Sequence, residues 1–152
     1  MARKRLEVLY CDNHLLAVRK PAGALVQPDR TGDVTLLELA KEYVRERYEK
    51  KGNVFLGCVH RLDRPVSGVV LFARTSKAAA RLSEQFRRKE VEKVYWAIVE
   101  GKCPPRGTLE DHLVRSGQRS RVSSGDEGKP ATLGYRRIAL LAGRSAVEIS
   151  LH

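Results

Sequence analysis

The chain has few cysteines, and none lies in a pattern that would build a disulfide framework or bind a metal. Only Cys11, Cys58 and Cys103 are present among 152 residues, an odd number without C-x-x-C spacing. The four histidines form neither an H-E-x-x-H motif nor a Cys/His ligand set. We therefore expect no metal site, no disulfide scaffold and a reducing compartment. We interpret Cys58 as a buried structural thiol.

Long apolar stretches are also missing. No apolar run approaches the roughly 20 residues that a membrane helix needs. The basic start, Met1–Glu7, lacks the apolar segment of a signal peptide. These absences predict a cytoplasmic protein without a membrane partner. No repeat, linker or low-complexity tract divides the sequence, so we expect one domain over residues 1–152.

Acidic residues are scarce compared with basic ones. The chain has 29 Lys and Arg against 18 Asp and Glu, a formal net charge of +11. Such an excess favours a polyanionic partner, with nucleic acid first and an anionic membrane surface second. A generically basic protein would carry the same charge, so the charge alone does not show whether the chain binds nucleic acid, a membrane surface or neither. A hydrophobic fraction of 42% is typical of a globular chain.

Hydrophobic periodicity predicts hairpins with two interspersed helices. Thr35 with Glu38 fits a capping box, which begins a helix over Thr35–Lys51 that Gly52 can end. A second helix over Thr75–Lys89 has a face that we expect to be buried, and its basic C-terminal end either compensates the helix dipole or contacts phosphate. The predicted strands are 6–10, 15–19, 69–73, 92–101, 109–114, 131–141 and 145–151; residues 115–129 read as a polar loop. The buried face of the second helix is formed by Ala78, Leu82 and Phe86.

A charged loop between Val59 and Arg74 is the strongest candidate for a functional site. Its Asp63 has Arg61 and Arg64 on either side, and cationic neighbours favour the ionised form of a carboxylate. An ionised aspartate can act as a nucleophile or as a base. The alternative is that Asp63 only caps a turn and pairs with one of the two arginines.

The string His60-Arg61-Leu62-Asp63-x-x-x-Ser67-Gly68 resembles the signature of the RluA-type pseudouridine synthases, which isomerise selected uridines in structured RNA. The resemblance implies that Asp63 is catalytic. Val66 stands where many members carry Thr. The string Lys93-x-Tyr95-x-Ala97-x-Val99-x-Gly101 resembles the second motif of the family. It implies that Tyr95 packs against the target uracil, while Arg61 fills the gap left by the flipped base.

The same resemblance implies an α+β fold, with a mixed, mainly antiparallel sheet and flanking helices. It implies an isomerase that acts on ribosomal or transfer RNA without a cofactor or metal, and no separate N-terminal RNA-binding domain. The third motif of the family, a Thr-Gly-Arg string, is absent. We therefore expect a catalytic domain that is incomplete at its C-terminus, with an open strand edge at 147–151 and poor turnover. The alternative is a non-catalytic RNA-binding protein derived from this fold.

Overall fold

A computed structural model describes residues 6–117, 119–125 and 127–151. The chain divides into two compact units, one ending at Glu90 and the other starting at Val91. Each unit has its own sheet, and every strand pairing described is antiparallel. Both helices belong to the first unit. The expected α+β class is confirmed, and the single domain over residues 1–152 stays a prediction.

The first unit is built around two central strands. Its elements are β1 (Glu7–Cys11), β2 (Leu15–Lys20), α1 (Leu36–Arg47), β3 (Gly57–Cys58), β4 (Gly68–Ala73) and α2 (Ser76–Arg87), with sheet order β1-β2-β4-β3. Leu16 on β2 lies opposite Phe72 on β4, and Val18 lies opposite Val70. All four side chains are fully buried. This apolar contact makes β2 and β4 a rigid support for the loops at their ends.

Helix α1 begins as the sequence predicts and ends earlier. The backbone N–H of Glu38 donates to the Thr35 hydroxyl, and the Thr35 N–H donates to the Glu38 carboxylate at 2.8 Å, so the capping box is formed. Glu49 adopts a left-handed conformation (φ 48°), and the Lys50 N–H closes the helix end on the Arg45 carbonyl. The helix therefore ends at Arg47, because the closing left-handed residue is Glu49 and not the glycine that the sequence suggested.

Helix α2 is less buried than its periodicity indicates. Thr75 caps it by accepting a hydrogen bond from the Ala78 N–H at 3.1 Å. None of its residues is fully buried; Ala78, Leu82 and Phe86 are half-buried, so the expected buried face is wrong. Arg87, the last residue of the helix, and Arg88, its C-cap, both pair with Glu84 at 2.7 Å. Part of the basic cluster is thus compensated within the helix.

The second unit is a five-stranded sheet of order β5-β9-β8-β6-β7. Its strands are β5 (Val94–Glu100), β6 (Arg106–Ser116), β7 (Arg119–Val122), β8 (Lys129–Leu141) and β9 (Arg144–Leu151). Strand β5 alternates as the sequence predicts: Trp96 is 78% exposed, and Tyr95 points to the opposite, half-buried face.

Two expectations about this sheet are wrong. Strand β9 is not an edge, because Ile149 pairs with Tyr95 on one side and with Tyr135 on the other. The predicted polar loop over 115–129 contains β7, which pairs with the end of β6. Gly117 has a φ of 61°, a conformation that glycine supplies to hairpin turns. The four residues of β7 are all exposed, so the strand has no apolar alternation to reveal it.

Candidate active site

Asp63 lies on a loop that leads into the central strand β4. This segment, the Asp63 loop, comprises residues 59–67. At its start the His60 ring accepts a hydrogen bond from the Leu71 N–H at 2.9 Å and stacks on Phe86 with ring centroids 5.0 Å apart. Leu62 is half-buried against the core, while Asp63 is exposed. The loop is therefore anchored through alternate residues, and it presents Asp63 outward.

The second half of the loop is a tight turn, and the Lys20 side chain donates hydrogen bonds to its backbone. The Val66 N–H donates to the Asp63 carbonyl at 3.0 Å. The Lys20 ammonium group donates to the carbonyls of Arg64 at 3.0 Å, Val66 at 2.6 Å and Pro21 at 3.2 Å. Lys20 is fully buried.

The sequence of β2 does not reveal that Lys20 is buried. Leu16, Val18 and Lys20 share one face of the strand, and all three are fully buried. Leu15 and Ala17 on the opposite face are apolar as well, and Arg19 follows them as Lys20 follows Val18. Only the structure shows which of the two faces is covered.

A second set of hydrogen bonds joins the Asp63 loop to the segment that follows β2. The Gly23 N–H donates to the Arg64 carbonyl at 2.8 Å, and the Arg64 side chain donates back to the Gly23 carbonyl. The guanidinium group of Arg64 also pairs with Asp33 at 2.6 Å. The pairing of Arg64 with Asp63, which belonged to the alternative interpretation, is not formed, because the Arg64 guanidinium group is directed to Asp33.

The carboxylate of Asp63 has no hydrogen bond or ion pair with any residue in the described part of the chain. The turn at Asp63 is closed by its backbone carbonyl and not by its side chain. These contacts do not show the capped turn that was the alternative interpretation. An exposed, unpaired carboxylate on a fixed loop is free to meet a substrate.

The other two predicted site residues lie on different elements. Arg61 is exposed on the Asp63 loop, two residues before Asp63. Tyr95 belongs to the second unit, where it is half-buried on β5 opposite Ile149. Tyr95 shares its face of β5 with Ala97 and Val99, as the alternation predicts.

Cys58 is held by the structure as a thiol of low reactivity. Burial raises its pKa, while the positive charge of Arg61 and a hydrogen bond to the His60 carbonyl, at 3.1 Å, lower it. A raised pKa leaves little thiolate at neutral pH. Within residues 6–117, 119–125 and 127–151, no group of three or more His, Cys, Asp and Glu side chains could hold a metal ion. Neither of the helices described is long and apolar enough to cross a membrane.

Comparison with known families and structures shows that the chain is similar to RNA pseudouridine synthases. A family model described as RNA pseudouridylate synthase matches residues 14–152. The ribosomal large subunit pseudouridine synthase D of Zymomonas mobilis is 35% identical over 151 residues, which are 96% of this chain and 48% of that protein. The tRNA pseudouridine synthase C of Haemophilus ducreyi is 42% identical over 105 residues, which are 69% of this chain and 41% of that protein.

The fold is also similar to solved structures. Human RNA pseudouridylate synthase domain containing 4 superposes with a TM-score of 0.78 at 22% identity, over 95% of this chain and 58% of that one. The chain spans about half the length of the curated relatives that it matches.

Proposed function

The chain belongs to the RluA-type RNA pseudouridine synthases, and on that basis we propose that it isomerises uridine to pseudouridine in structured RNA. Its relatives are named for ribosomal RNA in one case and for transfer RNA in another, so both remain substrate classes for this chain. The net charge of +11 suits a polyanionic substrate. We place the reaction in the cytoplasm and assign residues 1–152 to one catalytic domain.

The proposed reaction rearranges bonds without changing the composition of the nucleotide. The bond between C1′ of the ribose and N1 of the uracil breaks, and the bond between C1′ and C5 forms after the base rotates. The proton of C5 is lost to solvent and N1 gains one. No electron is transferred, so the chemistry asks the protein for a carboxylate, a bound base and a site closed to competing water.

The exposed Asp63 carboxylate is the observation that carries the proposal. A carboxylate that pairs with no neighbouring cation in the described chain is not committed to the fold, and its loop is fixed by His60, Leu62 and Lys20. Fixed geometry is what a nucleophile or base needs, because misplacement by about 1 Å costs roughly 100-fold in rate. Asp63 attacks C1′ or C6, or removes a proton from C2′; both nucleophile and base roles fit a carboxylate.

Arg61 and Tyr95 complete the proposal through the family resemblance. The target uridine has to leave its stack to be reached, and Arg61 would fill the space that it leaves. Arg61 suits this role because its side chain is exposed on the same loop as Asp63. Tyr95 would pack under the flipped uracil, since an aromatic ring offers a stacking surface to any base.

The test replaces Asp63 with asparagine. Asp63→Asn is nearly isosteric, and the Asp63 side chain makes no hydrogen bond or ion pair in the described chain that the fold would lose. We expect pseudouridine formation to fall below detection, while RNA affinity and melting temperature stay close to wild type. Formation is measured by release of tritium from [5-³H]uridine-labelled ribosomal and transfer RNA. Asp111→Asn, an equal change at an exposed position of β6, is the matched control and should keep full turnover.

Two outcomes would contradict the proposal. If Asp63→Asn retains substantial turnover, Asp63 is not the catalytic group. If the wild-type protein binds RNA but forms no pseudouridine in either RNA class, even with protein in excess over RNA, the alternative of a non-catalytic RNA-binding protein is correct.

A further inference from the structure

Helix α2 has an apolar stripe that the fold leaves partly uncovered. Ala78 and Leu82 follow helical spacing, yet both are only half-buried, and neither belongs to the apolar core of the described chain. Together with Leu15 they are the apolar residues lining a groove of about 660 Å³, the α2 groove, between α2 and the turn at residues 12–15. An apolar lining with a few polar groups, at this volume, is typical of a ligand site.

The wall of the α2 groove opposite the helix is a turn that hydrogen bonds hold in place. The Asp12 N–H donates to the Leu15 carbonyl at 3.0 Å, and the Arg74 N–H donates to the His14 carbonyl at 2.7 Å. The Asp12 carboxylate accepts from the N–H groups of His14 and Leu15 and from the Tyr10 hydroxyl, and these bonds lower its pKa. The acidic residue of the lining is therefore engaged in its own turn.

Two cations line the α2 groove without a counterion. Lys77 and Arg81 are exposed, and their side chains form no ion pair or hydrogen bond with any residue that the structure describes. They are four positions apart, so their Cβ atoms are about 5–6 Å apart on one face of the helix. Arg87 and Arg88, by contrast, both pair with Glu84. The groove thus complements an anionic ligand.

Helix α2 connects this groove with the Asp63 loop. Phe86, near the end of the helix, stacks on His60 at the start of that loop. At a rise of about 1.5 Å per residue, Lys77 and Phe86 lie roughly 14 Å apart along the helix axis. A ligand that occupies the groove therefore lies away from the nucleotide that meets Asp63.

We propose that the α2 groove binds a nucleotide of the RNA substrate other than the target uridine, with the phosphates at Lys77 and Arg81. The base lies on Leu15, Ala78 and Leu82. An unpaired base offers an apolar face beside its charged phosphates, so a nucleotide matches both parts of the lining. An acidic peptide would use the cations and leave the apolar residues uncovered. The inference rests on the proposed RNA substrate and extends it beyond the Asp63 loop.

Removal of the two cations tests the phosphate contacts. In the double variant Lys77→Gln with Arg81→Gln, we expect the dissociation constant for ribosomal and transfer RNA to rise at least about tenfold at 100 mM salt. The slope of log K against log salt should fall by about 1.4–1.8, because each phosphate contact contributes about 0.7–0.9. The control, Lys50→Gln with Lys51→Gln, removes the same charge at exposed positions after α1. Its affinity should change less than about threefold, since salt screens distant charges.

A bulky residue in the groove tests the contact with the base. Ala78→Phe fills the groove without changing the charge, so RNA affinity should fall at least about fivefold. Ala80→Phe is the matched control, because Ala80 is exposed on the same helix but does not line the groove. It should bind RNA as wild type does. Melting temperatures of the two variants show that the fold is retained.

Chemical protection reports on the groove without any substitution and without turnover. Bound RNA should protect the Lys77 ammonium group from acetylation by an N-hydroxysuccinimide ester, while Lys50 and Lys51 keep their reactivity; mass spectrometry of the peptides measures both. If RNA protects Lys77 but the wild-type protein forms no pseudouridine, the proposed function fails and the α2 groove remains an RNA site.

Three results would overturn the inference. The first is an equal RNA affinity of the Lys77 and Arg81 double variant and its Lys50 and Lys51 control. The second is an equal affinity of Ala78→Phe and Ala80→Phe, because no base would then lie in the groove. The third is protection of Lys77 by polyglutamate and not by RNA, which would assign the groove to an acidic peptide.

Discussion

Gly68 joins the Asp63 loop to β4, and its replacement by alanine tests how tightly the loop is fixed. Gly68 has a φ of 150°, a region that residues with a side chain rarely adopt. A methyl group at this position would lie 3.2 Å from Cδ1 of Leu62, the residue immediately before Asp63. Either Leu62 moves by a few tenths of an ångström or the backbone rotates, and both changes reach Asp63.

The expected cost follows from two opposing terms. Holding a non-glycine residue in a sparsely populated backbone region costs about 1–3 kcal/mol. Alanine gives the unfolded chain less conformational entropy than glycine does, which stabilises the folded state by roughly 0.4–1 kcal/mol in a Gly→Ala change. We therefore expect Gly68→Ala to lower the free energy of unfolding by about 1–2 kcal/mol.

Urea denaturation followed by circular dichroism measures this difference. Gly52→Ala is the matched control, because a methyl group there meets nothing within 4 Å and Gly52 is not in the left-handed region. The control should raise the free energy of unfolding by roughly 0.4–1 kcal/mol, because only the effect on the unfolded chain remains there. Equal stability of Gly68→Ala and Gly52→Ala would refute the argument that the loop exit is sterically fixed.

Two further predictions concern charge. RNA binding should weaken at least about tenfold between 50 and 200 mM salt, because the RNA phosphates that a chain of net charge +11 neutralises release their counterions. Filter binding measures the RNA affinity at each salt concentration, with sucrose as an uncharged control. An affinity that does not change with salt would contradict this prediction. Hydrogen bonds from the Thr35 N–H and hydroxyl hold the pKa of Glu38 below its ordinary value of 4.5, so its contribution to stability is present above about pH 4.5 and is lost as the pH falls through the lowered value. Urea titrations at pH 7 and pH 3 should show a smaller acid loss for Glu38→Gln than for wild type, whereas Glu92→Gln, an exposed control, should behave as wild type.

Elements defined by neighbours in sequence were predictable. The Thr35 and Glu38 capping box spans four residues, and its chemistry is complete within them. The hairpin of β8 and β9 follows from apolar residues on both sides of Gly143, whose φ is 67°, and from the alternation of Val147, Ile149 and Leu151 in β9. The order of the strands within each sheet does not follow from such local patterns. Only pairing shows that β9 has neighbours on both sides.

In the candidate site, too, contacts between neighbours in sequence were predictable and contacts between distant residues were not. Its loop could be found from the string around Asp63, because the residue types stand next to one another. The partner of Arg64 could not, since Asp33 is 31 residues away and a nearer carboxylate, Asp63, is the obvious choice from sequence. In three dimensions the guanidinium group turns to Asp33, which leaves Asp63 without a direct cationic partner in the described chain.

The same contacts explain how the backbone at Asp63 is held without an ion pair to its side chain. An arginine paired directly with Asp63 would hold the carboxylate in place but would occupy its oxygens. Lys20 instead donates to the carbonyls of Arg64 and Val66, in the turn that follows Asp63, so the backbone is held while the carboxylate oxygens remain unbonded in the described chain. In the proposed reaction these oxygens are therefore available to the substrate.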